Sequence, residues 1–199
     1  MSSRVQGIVA KDKMRTAGLM SGTSVDGVCV AVVDITKQKV HSLAFNVFPY
    51  SPTLRREILR LRRPESARFD NICHYNFVLG EVFARAIIKL RHKSDISVSS
   101  IDLVDSHGQT IYHNPRGRRY KRTTIRSTVQ IGEPSVVAHR NGITTAVDFR
   151  PRAMRLLART QRKVKVTIVR HIRQTNLVGA LIILNECDQF LQKAIEDAP

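Results

Sequence analysis

The chain opens with three blocks of β-type apolar patterning, switches to a helical period, and then returns to short apolar runs. Arg15 to Met20, Gly27 to Ile35 and Lys39 to Phe48 are rich in β-branched and small apolar residues without a helical period, so they read as strands. In the third, Leu43, Phe45 and Val47 fall on one strand face. Thr36-Lys37-Gln38 is a tight connection, so the opening reads as an antiparallel meander. Leu54, Ile58 and Leu61 then recur at helical spacing and predict a helix that ends before Pro64. Asp70 is placed to cap a longer helix with Ile72, Leu79, Phe83, Ile87 and Leu90 along one side. Ile101 to Val104, Thr128 to Ile131 and Ile143 to Val147 predict further strands, with a short helix after Gly132 stopped by Asn141-Gly142.

Between the first two strands lies Met20-Ser21-Gly22-Thr23-Ser24-Val25-Asp26-Gly27. Gly22 and Gly27 permit backbone angles that a Cβ disfavours. Ser21, Thr23 and Ser24 add hydroxyls, and Asp26 adds a carboxylate able to hold a cation. Composition leaves two readings open here. Asp-Gly is a strong hairpin signal, whereas a loop of small residues can aim backbone N–H groups at an anion. Two later strands run into polar strings, Asp105 to Thr110 and Asp148 to Arg152, and α/β proteins place ligand contacts at such carboxyl ends. His113 follows His107 by six residues with no third ligand at useful spacing, so no zinc-type site is expected. Cys73 and His74, in the early turns of the long helix, are expected to be structural.

At 199 residues the chain is one large domain or two small ones. Its 42% hydrophobic and 25% charged content is that of a globular protein, but 33 Lys plus Arg against 16 Asp plus Glu give a net charge of +17. Nucleic acid, an anionic membrane surface or a phosphorylated ligand would each account for such a surplus. It is concentrated in the loop Arg116 to Arg126 and in the span Phe149 to Asn185, which holds no acidic residue. A solvated hairpin tip ranks ahead of nucleic-acid binding for the first. For the second, no Phe, Tyr or Trp lies between Phe149 and Phe190 to stack bases. A non-catalytic basic module for an anionic partner such as nucleic acid remains the alternative function. The three cysteines form no CxxC pair and read as buried small hydrophobes in a reducing interior. With no signal-peptide core and no run near the roughly 18 apolar residues that span a bilayer, a cytoplasmic protein without a membrane partner is expected.

Three strings stand in order: Gly18-Leu19-Met20-Ser21-Gly22-Thr23-Ser24-Val25-Asp26-Gly27, Ser106-His107-Gly108-Gln109-Thr110, and Gly142-Ile143-Thr144-Thr145-Ala146-Val147-Asp148-Phe149-Arg150. With Leu79-Gly80-Glu81-Val82-Phe83-Ala84 and Gln130-Ile131-Gly132-Glu133, they make the chain resemble the anhydro-N-acetylmuramic acid kinases from about Thr16 to Arg152. That family lies in the sugar kinase, Hsp70 and actin superfamily. The resemblance implies an α/β, ribonuclease-H-like domain over residues 15–152, the first half of an actin-like ATPase fold. A leader over 1–14 would precede it and an irregular, divergent basic tail over 153–199 would follow.

The implied activity is ATP- and Mg2+-dependent phosphorylation of 1,6-anhydro-N-acetylmuramic acid, with water opening the anhydro ring, in recycling of cell-wall amino sugars. By resemblance, Gly22, Thr23, Ser24, Val25, Asp26, Gly27, Val28 and Cys29 form the turn that contacts the nucleotide phosphates. Asp26 would sit near the magnesium ion, and His107, Gln109, Asp148 and Arg150 would line the sugar side. The chain departs from the family at Cys29, where an Asp is usual. From Arg155 onward it matches none of the family's strings, including a Gly-Gly-Gln-Gly segment and a Gly-x-Asp-Thr-Gly-Pro-Gly-Asn string whose Asp is the expected general base. That fits a truncated, mis-spliced or frame-shifted chain, so no catalytic residue is assigned and activity alone is in doubt. A homo-oligomer or a separate second domain is the expected source of the other half.

Overall fold

A computed structural model describes residues 7–8, 10–36 and 39–147. The expected basic tail over 153–199, with Cys187, therefore lies outside the described residues, as do Asp148 and Arg150. Among the described residues there are six strands: β1 (Lys13–Ser21), β2 (Gly27–Thr36), β3 (Val40–Pro49), β4 (Leu103–Tyr120), β5 (Thr123–Ile131) and β6 (Thr145–Ala146). The helices are α1 (Pro52–Leu61), α2 (Phe69–Lys93) and α3 (Pro134–Asn141), with a short 3₁₀ turn at Val98–Ser100. The sheet order is β3-β2-β1-β4-β5, with β6 pairing β4. β1, β2 and β3 form the expected antiparallel meander, while β4 runs parallel to β1 and β6 parallel to β4. A meander followed by parallel strands added beside β1 is the ribonuclease-H-like arrangement.

The two faces of the sheet follow the two-residue period. Ala17 and Leu19 of β1, Val28, Val30 and Val32 of β2, and Val104 of β4 share the main core with Leu79, Phe83, Ala86, Ile87 and Leu90 of α2. The opposite face carries a smaller cluster, Ala31 and Val33 with Met20, Cys29, Ile35, Val40 and Phe45. β2 is buried along nearly all of its length, which is why its run reads Val-Cys-Val-Ala-Val-Val rather than alternating with polar residues. A register shift between Val32 and Val33 interrupts the pairing with β3. Leu43 is exposed and Phe45 joins the far-face cluster, so the single apolar face expected for β3 is broken.

Four local expectations are corrected. Asp70 does not cap α2. The cap position is Arg68, without a side-chain capping bond, and Asp70 lies in the first turn, paired with Arg68 at 3.1 Å. Cys73 is exposed rather than buried, and His74 beside it is exposed too. β1 begins at Lys13, so the end of the expected leader belongs to the sheet, with Lys11 bonded to Asp102. β4 does not stop after Val104 but continues to Tyr120, because Gly108 at φ 73 and Gly117 at φ 78 let the strand bend without ending.

The strings Leu79 to Ala84 and Gln130 to Glu133 meet in space and lock α2 to the start of α3. A Cβ on Gly80 would lie 2.8 Å from the Glu133 carbonyl, and one on Gly132 would lie 2.3 Å from the Phe83 ring. Asn76 closes the junction: its Oδ1 accepts from Gly132 N at 2.8 Å, its Nδ2 donates to Glu133 Oε2 at 2.9 Å, and its carbonyl accepts from Glu133 N at 2.8 Å. Arg140 grips Glu81 through both carboxylate oxygens.

At the other end of the sheet, Asp34 is 7% exposed and held by Arg15, bidentate at 2.7 and 3.1 Å, and by Lys13 at 2.8 Å. The Arg15 hydrogen bond, with Lys13 behind it, holds the Asp34 carboxyl at about 2, against an ordinary 3.8. A depressed carboxylate adds stability above its unfolded-state value and loses it as pH falls through the folded one. Asp34→Asn is therefore expected to cost about 2 kcal/mol at pH 7. The gap to the wild type should narrow as pH falls from about 4 toward about 2. Urea unfolding of both proteins across that range is the check, and a gap independent of pH would contradict the assignment.

Candidate functional site

The parallel strands bring the sequence-predicted strings to one edge. β1 ends at Ser21, its pairing with β4 ends at Ser21 opposite Gln109, and β6 ends at Ala146 opposite Asp105. The loop 22–26, the segment His107–Thr110 and the end of β6 thus share the carboxyl edge of the parallel strands. In open α/β sheets that edge is the usual ligand crevice. The shift in register between Leu19 and Ser21, with Gly108 in the left-handed region, opens the sheet at this point.

The loop is held by its carbonyls. Gly22 O accepts from Gln109 Nε2 at 2.8 Å, Thr23 O from Arg62 Nη1 and Val25 O from Arg55 Nε at 3.1 Å. Asp26 O accepts from Tyr50 N at 3.0 Å, and Gly27 O from Ser21 Oγ at 2.7 Å. In a trans peptide the N–H points opposite to the preceding C=O, and no cis bond is present among the described residues. Tying down the carbonyls of Gly22, Thr23 and Val25 therefore turns the N–H groups of Thr23, Ser24 and Asp26 the other way. Amides left free in this way suit an anion, with Arg62 and Arg55 on the carbonyl side of the same peptides.

The conformational strain lies elsewhere than the glycines suggested. Neither Gly22 nor Gly27 has positive φ; Val25 does, at 59°, with its side chain fully buried. Gly27 is required for space instead, since a Cβ there would lie 2.3 Å from the Phe48 carbonyl. Thr23, Ser24 and Asp26 are exposed, while Val25 and Val28 belong to the core and Cys29 is half-buried. Only the loop backbone and the three exposed side chains are thus free to face a ligand.

His107 is nearly buried, with Nδ1 3.0 Å from the Gly108 carbonyl. A carbonyl can only accept, so that contact places the proton on Nδ1. Gln109 is fully buried and its amide is engaged with Gly22, Thr110 and Ser21, so it faces the loop rather than the open edge. Tyr50, Arg55 and Arg62 are contacts that sequence reading missed. Arg55 and Arg62 lie two helical turns apart, but five arginines crowd 55–63 and nothing in the sequence marks which two reach the loop.

For a cation the site offers Asp26, whose side chain is 58% exposed and 3.4 Å from Arg55. Among the described residues no group of three or more His, Cys, Asp or Glu could hold a metal ion. Magnesium fits such a site, because it keeps several waters and takes one or two carboxylates together with phosphate oxygens.

Comparison with known proteins adds to this geometry. A family model described as Anhydro-N-acetylmuramic acid kinase matches residues 14–178, past Arg152 where the recognised strings end. The chain is 44% identical over 153 residues to the anhydro-N-acetylmuramic acid kinase of Caldanaerobacter subterraneus subsp. tengcongensis, covering 75% of this chain and 39% of that protein. It is 40% identical over 143 residues to the enzyme of the same name from Bacillus cereus strain AH820, covering 69% and 36%, and equally to that of Bacillus anthracis. The chain thus spans about two-fifths of the length of the curated relatives it matches.

Strain at Val25 is open to test. Val25→Ala should cost about 2 kcal/mol of lost burial. Val25→Gly loses the same contacts but also about 1 kcal/mol of left-handed strain. The glycine variant is therefore expected to be at least as stable as the alanine variant, the reverse of the usual order in a core. Chemical denaturation of the three proteins would show it, and a clearly weaker glycine variant would contradict the account.

Proposed function

The chain belongs to the anhydro-N-acetylmuramic acid kinase family, and on that premise we propose that it supplies the phosphate-contacting half of an ATP-dependent sugar kinase. The substrate in this reading is 1,6-anhydro-N-acetylmuramic acid, phosphorylated as water opens the anhydro ring. The observation that carries the proposal is the loop 22–26, set at the carboxyl edge of β1, β4 and β6 with its carbonyls tied down by Gln109, Arg62 and Arg55.

Phosphoryl transfer asks the protein for position and charge neutralisation more than for covalent chemistry. The N–H groups of Thr23, Ser24 and Asp26 are the loop's donors for phosphate oxygens, while Arg55 and Arg62 hold the Val25 and Thr23 carbonyls on the opposite side of those peptides. Asp26 is the carboxylate for a magnesium ion, whose contribution when bound is to offset phosphate charge. His107, with Asp148 and Arg150, is assigned to the sugar side, and Gln109 to the support of the loop. The base that takes the proton from the attacking water is not assigned to any described residue. The other wall of the cleft comes from a further domain or a second copy.

A cytoplasmic setting belongs to the same proposal. Neither Cys29 nor Cys73 is in a disulfide, and among the described residues no helix is long and apolar enough to cross a membrane.

Calorimetric titration of the 199-residue chain with Mg·ATP tests the nucleotide assignment. Saturable binding is expected, and Asp26→Asn should weaken it about tenfold while leaving binding of ATP in EDTA unchanged. Absence of any binding at millimolar Mg·ATP would overturn the proposal, and an equal loss in EDTA would remove the magnesium role from Asp26. Incubation with labelled ATP and the anhydro-sugar then reads transfer directly.

A further inference from the structure

We infer that Tyr50, Ser21 and Gln109 form a buried positioning relay that ties both ends of the loop 22–26 and sets the direction of the Thr23 amide. The part of this inference that concerns nucleotide rests on the function proposed above. The polarity of the relay follows from its atoms. Gln109 Nε2 lies 2.8 Å from the Gly22 carbonyl and 3.1 Å from the Thr110 carbonyl. Exchanging the amide nitrogen and oxygen would set an oxygen against two carbonyl oxygens, so Gln109 Oε1 is fixed facing Ser21 Oγ at 2.6 Å. The single Ser21 proton lies toward Gln109 Oε1 and the Gly27 carbonyl, at 2.6 and 2.7 Å. Tyr50 OH, 2.8 Å from Ser21 Oγ, is then the donor to it. Burial pushes the Tyr50 phenol well up, so it keeps the proton it donates at any physiological pH.

The relay therefore reaches Gly22 through Gln109 and Gly27 through Ser21, and the Tyr50 backbone adds Asp26. Gln109, Ser21 and Tyr50 are 0%, 1% and 7% exposed, so none is placed to touch a ligand from the open edge. Nor are their side chains needed for the sheet, because β1, β2 and β4 are joined by their own backbone ladders. What their side chains fix is the Gly22–Thr23 peptide at one end of the loop and the Gly27–Val28 peptide at the other. A buried polar chain of this kind polarises along its length, so the loss of one member is felt by the others.

The experiment compares wild type with Tyr50→Phe, Gln109→Met, Ser21→Ala and the Ser21→Ala/Tyr50→Phe double variant. Leu90→Val serves as a control that loosens the core of α2 away from the loop. The backbone amide order parameter at Thr23, Mg·ATP affinity and Tm are read for each. Tyr50→Phe and Gln109→Met release the Gly22–Thr23 peptide and should lower the Thr23 order parameter from the rigid range, about 0.85, toward about 0.6. They should weaken Mg·ATP about tenfold. The double variant should be no worse than Ser21→Ala alone, since both lesions break the same chain. Leu90→Val should lower Tm with the Thr23 order parameter and affinity at wild-type values. A Thr23 order parameter unchanged in both Tyr50→Phe and Gln109→Met overturns the relay, whatever their Tm. A wild type that binds no Mg·ATP overturns the proposed function instead, and the Thr23 order parameter still decides the relay.

Discussion

A buried primary amide has to find partners for its oxygen and both of its N–H groups, and Gln109 meets that demand where β1 and β4 part. Leaving such a group unpaired costs about 1–3 kcal/mol, so Gly22, Thr110 and Ser21 are constrained together. Ser21 and Gln109 are 88 residues apart in sequence. Their bond is therefore the tertiary link between the glycine and hydroxyl loop and the histidine-bearing strand. The left-handed Val25 is held within the same frame, its carbonyl bonded to Arg55 and its side chain sealed in the core. Strain in a β-branched residue persists only where the surroundings over-determine it, and here they do so from three elements.

Much of the fold was legible because it depends on local pattern. The β-branched runs of β1 and β2, the Leu54, Ile58 and Leu61 spacing of α1 and the Gly142 stop of α3 each arise from one residue's own preference or from a short period. The failures have a common cause as well. Asp70 satisfies a capping preference in sequence, but the helix starts one residue earlier and the same carboxylate acts in the first turn instead. Gly22 and Gly27 suggested unusual backbone angles, whereas the neighbouring strand demands a glycine at Gly27 and the core imposes the angle on Val25. Those demands come from residues far along the chain, and no window of sequence contains them.

The candidate site divides in the same way. Its position was readable, because a polar string after an apolar run marks a strand's carboxyl end whether or not the strand continues, as β4 does. Its internal wiring was not. Tyr50 sits between Pro49 and Ser51 at the close of a strand and looks like a turn residue, yet both its N–H and its hydroxyl serve the loop. Gln109 was read as a sugar contact by resemblance, and its burial turns it toward the loop.

Strings shared with a family are of two physical kinds, and the geometry separates them. Leu79 to Ala84 and Gln130 to Glu133 recur in the resemblance as plainly as the loop does, but Gly80 and Gly132 are small because Glu133 and Phe83 occupy the space a Cβ would need. Asn76, which belongs to neither string, makes three of the bonds that close this junction. These residues fix where α2 and α3 lie, and so where β6 enters beside β4. The loop sits on the opposite kind of constraint: Thr23, Ser24 and Asp26 stay exposed while its carbonyls are tied down. Identity of 44% over 153 residues weights both kinds equally. Only the bonds, read one at a time, mark which string is packing and which leaves its loop side chains exposed.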